Sequence, residues 1–199
     1  MDLALSALGL VLAAPLLVVI AVLVRITSSG PALYRHQRVG FEGRLFDVLK
    51  FRTMVRDADK AGPAITSATD LRVTPVGRWL RWLKLDEVPQ LWNVFKGEMS
   101  LVGPRPELPV FVALYTPSQM SVLSVRPGIT DPASIAYRHE ELILAGELDP
   151  ERHYRERLLP QKLVLSLHYV KTLRFRSDVS ILCQTLVSLF RIPSARVSF

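Results

Sequence analysis

One stretch decides the fold, because it joins two candidate anion sites through a short helix: residues 85–107 read LDEVPQLWNVFKGEMSLVGPRPE. We expect a helix to begin at Asp86 and Glu87, with Pro89 tolerated in its first turn. The apolar residues at helical spacing, which would face a core, are Val88, Leu91, Trp92 and Phe95. Residues 97–109 contain three prolines, so we expect a stiff, non-helical connection there.

A second predicted helix lies directly upstream. Thr74 is a candidate N-cap, and Pro75 occupies the favoured first position. Its apolar stripe consists of Val76, Trp79, Leu80 and Leu83. Arg78 and Arg81 lie on its other side with Lys84 beyond, and this basic ridge leads to the acidic pair.

Further upstream, residues 32–39 and 45–53 are predicted strands joined by a turn at residues 40–43. Lys50 and Arg52 lie at the end of the second strand, where both could reach a phosphate. Residues 57–70 are predicted to form a surface loop. The fold class is therefore α+β, a mainly helical domain with a small β-sheet.

The C-terminal third is predicted to be helical. Asp149 and Pro150 begin one helix, and Pro160 interrupts it. Asp178 is expected to cap the last helix, which runs to about Arg191. Several of these helices mix apolar and basic residues, which is typical either of helices in a membrane interface or of amphipathic helices on a core.

The N-terminal segment is the strongest compositional signal, because residues 3–24 carry no charge. About 20 such residues suffice to cross a bilayer. Pro15 lies in the middle of the run and could instead break it into two half-helices that enter and leave one leaflet. The basic residues that follow, Arg25, Arg35 and Arg38, place the downstream domain on the cytoplasmic side in either case. Composition leaves both topologies open.

The adjacent carboxylates Asp86 and Glu87 are candidate catalytic and metal-binding residues. They suit a divalent metal, and one of them could be a nucleophile. A helix N-terminus favours anions, so we expect it to lower the pKa of Asp86. The alternative is that the pair only caps the helix. Arg105, between two prolines, and Arg126, before Pro127 and Gly128, are candidate phosphate ligands or else solvent-exposed arginines in rigid loops.

Composition narrows the function classes. The net charge is +7 and the pI about 9.9, which suits an anionic partner such as a phosphate-rich substrate or an acidic lipid surface. The basic residues form no nucleic-acid-reading motif, so no nucleic-acid partner is expected. The single cysteine, Cys183, cannot form an internal disulfide, and we expect it in the core. Histidines at metal-ligand spacing, P-loops, dinucleotide fingerprints and nucleophile elbows are all missing from the sequence.

Taken together, these motifs resemble those of the bacterial sugar transferase family, the monotopic phosphoglycosyl transferases. The resemblance covers almost the whole chain, and the block at residues 85–107 is its most specific part. The other matching segments are RVG at 38–40 with Phe46, KFRTM at 50–54, RVT at 72–74, GRWL at 77–80 and RPGIT at 126–130.

The resemblance implies a re-entrant membrane helix broken at Pro15, covering residues 1–28, and a catalytic domain of residues 29–199 at the cytoplasmic face of the bacterial inner membrane. It implies that Asp86 attacks the phosphate that bears the sugar of a UDP-sugar, that UMP leaves, and that polyprenyl phosphate, such as undecaprenyl phosphate, accepts the sugar phosphate. Mg²⁺ would bind at Asp86 and Glu87. The expected substrate-binding residues are Lys50, Arg52, Arg78, Arg81, Arg105 and Arg126.

Two departures from the family pattern concern specificity and the membrane helix. Ala14 precedes the membrane proline where many members have serine, and residues 131–134 read DPAS where many have glycine, an aromatic residue, alanine and glutamine. Sugar preference therefore cannot be transferred. The chain is expected to be a short form, without extra N-terminal transmembrane helices. A non-catalytic scaffold or anionic-ligand binder is the alternative function, and the oligomeric state is left open, with a homodimer among the alternatives.

Overall fold

The structure is a computed structural model that describes residues 1–58, 62–63 and 65–190. The helices are α1 (Asp2–Thr27), α2 (Pro75–Trp82), α3 (Gln90–Phe95), α4 (Pro109–Val112), α5 (Pro132–Ala136), α6 (Glu140–Leu144), α7 (Pro150–His153), α8 (Leu159–Lys171) and α9 (Phe175–Phe190). The strands are β1 (Leu33–Val39), β2 (Leu45–Phe51), β3 (Ser100–Val102) and β4 (Gly128–Thr130). The predicted class, a mainly helical α+β domain, is confirmed, but the strands form two small sheets rather than the predicted one.

Helix α1 contains the apolar segment and is long and apolar enough to cross a membrane. It continues through Pro15 as one helix, so the predicted separation into two half-helices is not seen in the helix bounds. The re-entrant topology stays a prediction. Most of its side chains are exposed. One side nevertheless packs on the rest of the protein, because Ile20 and Val24 join a core cluster with Phe51 and Leu80.

Strands β1 and β2 form the predicted antiparallel hairpin, in which Leu33 lies opposite Phe51 and Val39 opposite Leu45. A second, parallel pair was not predicted: Ser100 of β3 lies opposite Gly128 of β4. Part of the proline-rich stretch is therefore a strand rather than only a connection. Gly128 permits this pairing, because a Cβ there would lie 2.1 Å from the Gly103 nitrogen.

The predicted start of α2 is confirmed. The Thr74 side chain accepts a hydrogen bond from the Gly77 N–H at 2.9 Å. Gly77 also lets the helix approach the chain after β2, because a Cβ there would lie 1.9 Å from the Thr53 carbonyl oxygen. Any side chain at this position would push α2 away from the end of β2.

The predicted helix start at Asp86 is wrong. Leu85–Glu87 forms a 3₁₀ turn, and α3 begins only at Gln90. The predicted apolar face is also wrong in part, since Trp92 and Phe95 are 46% and 37% exposed. Because α3 begins after the 3₁₀ turn and Pro89, its side chains do not continue the helical spacing that the prediction counted from Asp86.

The buried residues of α3 are Gln90, Asn93 and Val94, and Asn93 is only 1% exposed. Its Oδ1 accepts from the Leu49 N–H at 3.0 Å, and its Nδ2 donates to the Asp47 carbonyl at 2.7 Å. A buried amide is stable when its donors and acceptors are paired in this way. Asn93 therefore attaches α3 to the edge of β2, beside Lys50.

In the C-terminal third, Asp149 caps α7 by accepting from the Arg152 N–H at 2.9 Å, as predicted. Asp178 does not cap α9, which begins at Phe175, and instead accepts from the Tyr169 hydroxyl at 2.8 Å. The predicted end near Arg191 lies outside the described residues. Cys183 is exposed, so its predicted core position is wrong. The largest core cluster contains Leu108, Phe111, Val122, Leu144, Tyr154, Leu158, Leu159 and Leu163.

Candidate active site

A sharp turn between α2 and α3 presents the acidic pair. Lys84 adopts the left-handed conformation, with φ of 57°, immediately before the 3₁₀ turn Leu85–Glu87. A non-glycine residue with positive φ is uncommon and costs free energy, and such strain concentrates at functional sites. Within this turn the Asp86 side chain is buried.

Asp86 is a buried carboxylate, only 7% exposed. Its Oδ1 is buried and has no hydrogen-bond partner among the described residues. Burial, and secondly the charge of Glu87, raise the pKa of the Asp86 carboxyl to about 6. The expected lowering of this pKa is therefore wrong, because desolvation outweighs the favourable field of one short turn.

Glu87 differs from its neighbour because cations surround it. Lys50 Nζ lies 2.8 Å from Oε1, Arg105 Nη1 lies 3.0 Å from Oε2, and Arg105 Nη2 also contacts Oε1. Burial alone would raise the pKa of Glu87, but the charges of Arg105 and Lys50 hold it well below its usual value. The structure thus brings together four of the predicted site residues, two carboxylates and two cations.

Arg81 lies close to this group. Its Nε donates to the Thr53 hydroxyl at 2.8 Å, and its charge is among those that lower the pKa of Asp86. The close approach of α2 at Gly77 fixes Thr53 and Arg81 next to each other. Arg81 is therefore a fifth predicted residue within electrostatic range of the site.

The other three predicted ligands lie elsewhere or point outward. Arg78 and Arg126 are exposed. Arg52 is buried at the end of α1, where its Nη2 donates to the carbonyl and the hydroxyl of Ser28, both at 2.9 Å. Gly30 leaves room for this guanidinium, since a Cβ there would lie 2.5 Å from Arg52 Nη1.

A buried network of charged and hydroxyl groups behind Arg105 is not predicted by the motifs. Glu107 pairs with Arg38 at 3.0 Å and accepts from the Tyr154 hydroxyl. Lys162 Nζ lies 3.2 Å from that hydroxyl and 2.7 Å from Glu140. The only signal in the sequence was that Glu107 ends the PRPE motif. These contacts stiffen the segment that carries Arg105.

Beside the pair lies a cavity of about 270 Å³. Lys84, Glu87 and Arg105 line it, so charged groups face one part of it. Other parts of its wall come from β4, α5 and α9. Asp86 itself is not among the lining residues, but its neighbour Glu87 is.

The acidic pair suits magnesium in part. Mg²⁺ is commonly held by one or two carboxylates together with substrate phosphates. The unpartnered Asp86 Oδ1 fits such a role, whereas both oxygens of Glu87 already contact Lys50 or Arg105. Within residues 1–58, 62–63 and 65–190, no cluster of three or more potential ligands forms a complete metal site by itself.

The fold and the site combine a buried carboxylate, a neighbouring glutamate paired with two cations, and an apolar N-terminal helix. Residues 1–192 match the family model described as bacterial sugar transferase, and the chain belongs to this family.

The names of three relatives describe the transfer of glucose phosphate or N-acetylgalactosamine phosphate. The chain is 40% identical over 192 residues to an undecaprenyl-phosphate glucose phosphotransferase of Komagataeibacter xylinus, covering 93% of this chain and 34% of the relative. It is 34% identical over 199 residues to a UDP-N-acetylgalactosamine-undecaprenyl-phosphate N-acetylgalactosaminephosphotransferase of Aeromonas hydrophila, covering 98% and 44%. It is 35% identical over 198 residues to a UDP-glucose:undecaprenyl-phosphate glucose-1-phosphate transferase of Caulobacter vibrioides, covering 98% and 70%. The chain thus spans less than half the length of the first two relatives.

Proposed function

We propose that this protein is a phosphoglycosyl transferase that moves a sugar-1-phosphate from a UDP-sugar to polyprenyl phosphate, with undecaprenyl phosphate as the acceptor. One observation carries the proposal: Asp86 is a buried carboxylate with an unpartnered Oδ1 among the described residues, directly beside a glutamate held between Lys50 and Arg105. The relatives' names support the same reaction class.

Two displacements at one phosphorus account for the transfer. An Asp86 oxygen forms a bond to the phosphorus that carries the sugar, and the bond from this phosphorus to the UMP oxygen breaks with its electron pair. An oxygen of polyprenyl phosphate then attacks the same phosphorus. The acyl phosphate bond breaks, Asp86 returns as a carboxylate, and polyprenyl diphosphate sugar is released.

The surrounding charges suit this chemistry. With a pKa of about 6, Asp86 is mostly ionised at neutral pH yet more basic than an exposed aspartate. Glu87 remains charged and orients Arg105, whose guanidinium can also face a phosphate. Mg²⁺, when bound through Asp86 and the substrate phosphates, would offset the diphosphate charge as a Lewis acid.

The test is UMP release by purified protein in nanodiscs, with a panel of UDP-sugars and undecaprenyl phosphate. We expect one donor or a small set to give UMP and a lipid-linked sugar, and Asp86→Asn to give neither. If no donor yields UMP above the Asp86→Asn background, the transferase proposal fails. A non-catalytic scaffold or an anionic-ligand binder then becomes the better account.

We also propose that α1 is re-entrant, with both ends on the cytoplasmic face of the inner membrane. A straight helix of this length would extend about 39 Å at 1.5 Å per residue. Contacts at both ends support the proposal: Ser100 Oγ donates to Asp2 Oδ2 at 2.7 Å, whereas Val24 packs near Phe51. Exposed tryptophans, which favour membrane interfaces, are present at Trp79, Trp82 and Trp92.

Thiol labelling in intact cells tests this topology. Leu3→Cys is placed in a Cys183→Ser background, because Cys183 is exposed and would react as well. A re-entrant helix predicts no reaction with a membrane-impermeant thiol reagent until the cells are lysed. Labelling of residue 3 in intact cells would instead indicate a helix that spans the membrane.

A further inference from the structure

Four of the residues that line the cavity carry hydroxyl groups, and we call this set the hydroxyl wall. They are Thr130 of β4, Ser134 of α5, and Thr185 and Ser188 of α9. None of these residues has a role in the phosphoryl transfer described above. Ser134, one of the four, belongs to the segment DPAS at residues 131–134.

The hydroxyl groups of Thr185 and Ser188 on α9 already donate their hydrogens in hydrogen bonds within the protein. Thr185 donates to the Ile181 carbonyl at 2.8 Å, so in the 2.8 Å contact with Thr130 the Thr185 oxygen accepts. Ser188 donates to the Thr185 carbonyl at 2.7 Å. Each hydroxyl oxygen retains acceptor capacity, because a hydroxyl has one hydrogen and two lone pairs.

Ser134 is oriented in the same way by Asp131, which is fully buried. Asp131 Oδ1 accepts from the Ser134 N–H at 2.7 Å and from its hydroxyl at 2.6 Å, while Oδ2 accepts from Ser166 at 2.7 Å. The Ser134 oxygen is thereby fixed as an acceptor on the cavity wall. The remaining surface of the cavity includes apolar side chains at Val88, Leu91, Ile129 and Ile135.

We propose that the hydroxyl wall binds the pyranose ring of the donor, a proposal that rests on the transferase function above. A pyranose has several hydroxyl donors and apolar C–H faces, which match fixed acceptors and aliphatic side chains. The linkage supports this position, since the sugar is attached to the phosphate that must reach Asp86, and Glu87, the neighbour of Asp86, lines the cavity.

Two other parts of the substrates fit this wall less well. A uracil ring has two carbonyl acceptors that need donors, whereas the hydroxyl hydrogens of the wall are already used. A polyprenyl chain would bury these polar oxygens without hydrogen bonds, which is unfavourable. Both occupants therefore serve as alternative outcomes of the test.

The test compares binding of a UDP-sugar with binding of UDP, which lacks the sugar. All proteins are full-length and carry Asp86→Asn, so that no turnover occurs. Affinity is measured by calorimetry in nanodiscs. The ligand is the UDP-sugar from which wild-type protein releases most UMP, or UDP-glucose if no donor gives UMP. Ser134→Ala and Thr185→Val each remove one acceptor, so we expect about two- to tenfold weaker UDP-sugar binding with UDP binding unchanged. Thr185→Ser restores the hydroxyl and should restore affinity. Ser180→Ala, on an exposed part of α9, is the matched control.

Equal weakening of UDP and UDP-sugar by Thr185→Val would assign the wall to the nucleotide and overturn the proposal. Unchanged UDP-sugar binding in both variants would also overturn it, and a selective loss of undecaprenyl phosphate binding would assign the wall to the lipid. Thermal melting checks that each variant is folded. These outcomes are distinct from failure of the proposed transferase function, which would appear as the absence of UMP release by wild-type protein.

Discussion

Replacing Asp86 by asparagine is predicted to abolish turnover and, at neutral pH, to make the protein more stable. The amide has nearly the same shape as the carboxylate, removes the charge, and replaces one acceptor oxygen by an NH₂ donor. Asp86 is buried, and Oδ1 has no hydrogen-bond partner in the part of the chain that the structure describes. The substitution therefore relieves the cost of a buried charge without breaking a hydrogen bond at that oxygen.

The magnitude follows from the shift in pKa. Burial and the charge of Glu87 raise the pKa of Asp86 from 3.8 to about 6. At about 1.4 kcal/mol per unit, an ionised Asp86 lowers the free energy of unfolding by about 3 kcal/mol relative to an unperturbed aspartate. Because the pKa is raised on folding, the protonated group contributes stability below about pH 4, and this contribution is lost as the pH rises through 6. The advantage of asparagine should therefore be present above pH 6 and small near pH 4.

The assay is thermal melting of wild-type and Asp86→Asn protein in the same nanodiscs, in EDTA, at pH 7.5 and near pH 4. A gain of about 3 kcal/mol corresponds to a rise in Tm of about 6–12 °C for a chain of this size. Glu87→Gln is the matched control and should have the opposite effect, since it leaves Lys50 and Arg105 without their partner. An Asp86→Asn protein that melts at or below the wild-type temperature at pH 7.5 would refute the reasoning.

Three further substitutions test other parts of the structure. Arg105→Ala should lower kcat/KM for the donor by about ten- to a hundredfold, because it removes a charge-assisted contact. Arg105→Lys should restore little activity, since lysine cannot reproduce the bidentate geometry. Unchanged kinetics would exclude a role of Arg105 in phosphate binding. Arg52→Ala should lower Tm by detaching the end of α1 at Ser28 while leaving the donor KM nearly unchanged, and a large rise in KM would return Arg52 to the substrate site. Lys84→Val should have a lower Tm than Lys84→Gly, because a β-branched residue disfavours the positive φ at this position. The expected difference in the free energy of unfolding is about 1–2 kcal/mol. Equal Tm values for the two variants would show that the turn is unstrained.

Local patterns in the sequence predicted the elements that form by local rules. The β1–β2 hairpin follows from alternation around a glycine turn, and α2 follows from the Thr74 cap and Pro75. The grouping of Glu87 with Arg105 was implied by the family resemblance, whereas spacing alone did not require it. The hairpin and the helix depend on residues close to one another in the sequence, and the grouping of Glu87 with Arg105 depends on one continuous motif.

The features that escaped prediction depend on distant contacts. The β3–β4 pairing has only three residues in each strand and requires the close approach of Gly103 and Gly128, which no local periodicity reveals. Arg52 was grouped with Lys50 because both lie near the end of β2. The strand ends at Phe51, however, so alternation no longer determines the direction of the Arg52 side chain.

Burial explains the largest chemical difference between expectation and structure. Judged from a helix N-terminus, the pKa of Asp86 should fall, whereas the folded protein raises it because the carboxylate loses its water. The partners of Glu87 come from β2 and from the segment after β3, so its charge is stabilised instead. Two adjacent acids thus acquire different roles from tertiary contacts that their sequence neighbours do not specify.

The central claim is that Asp86 carries the sugar phosphate during transfer, and intact-protein mass spectrometry tests it most directly. Purified protein is incubated with Mg²⁺ and the UDP-sugar that gives most UMP, without a lipid acceptor. The reaction is quenched in acid, and the intact mass of the protein is measured. We predict an added mass equal to one sugar phosphate, mapped to Asp86, lost on addition of undecaprenyl phosphate and absent from Asp86→Asn. Wild-type protein that releases UMP with acceptor present, yet never gains this mass, would contradict the account.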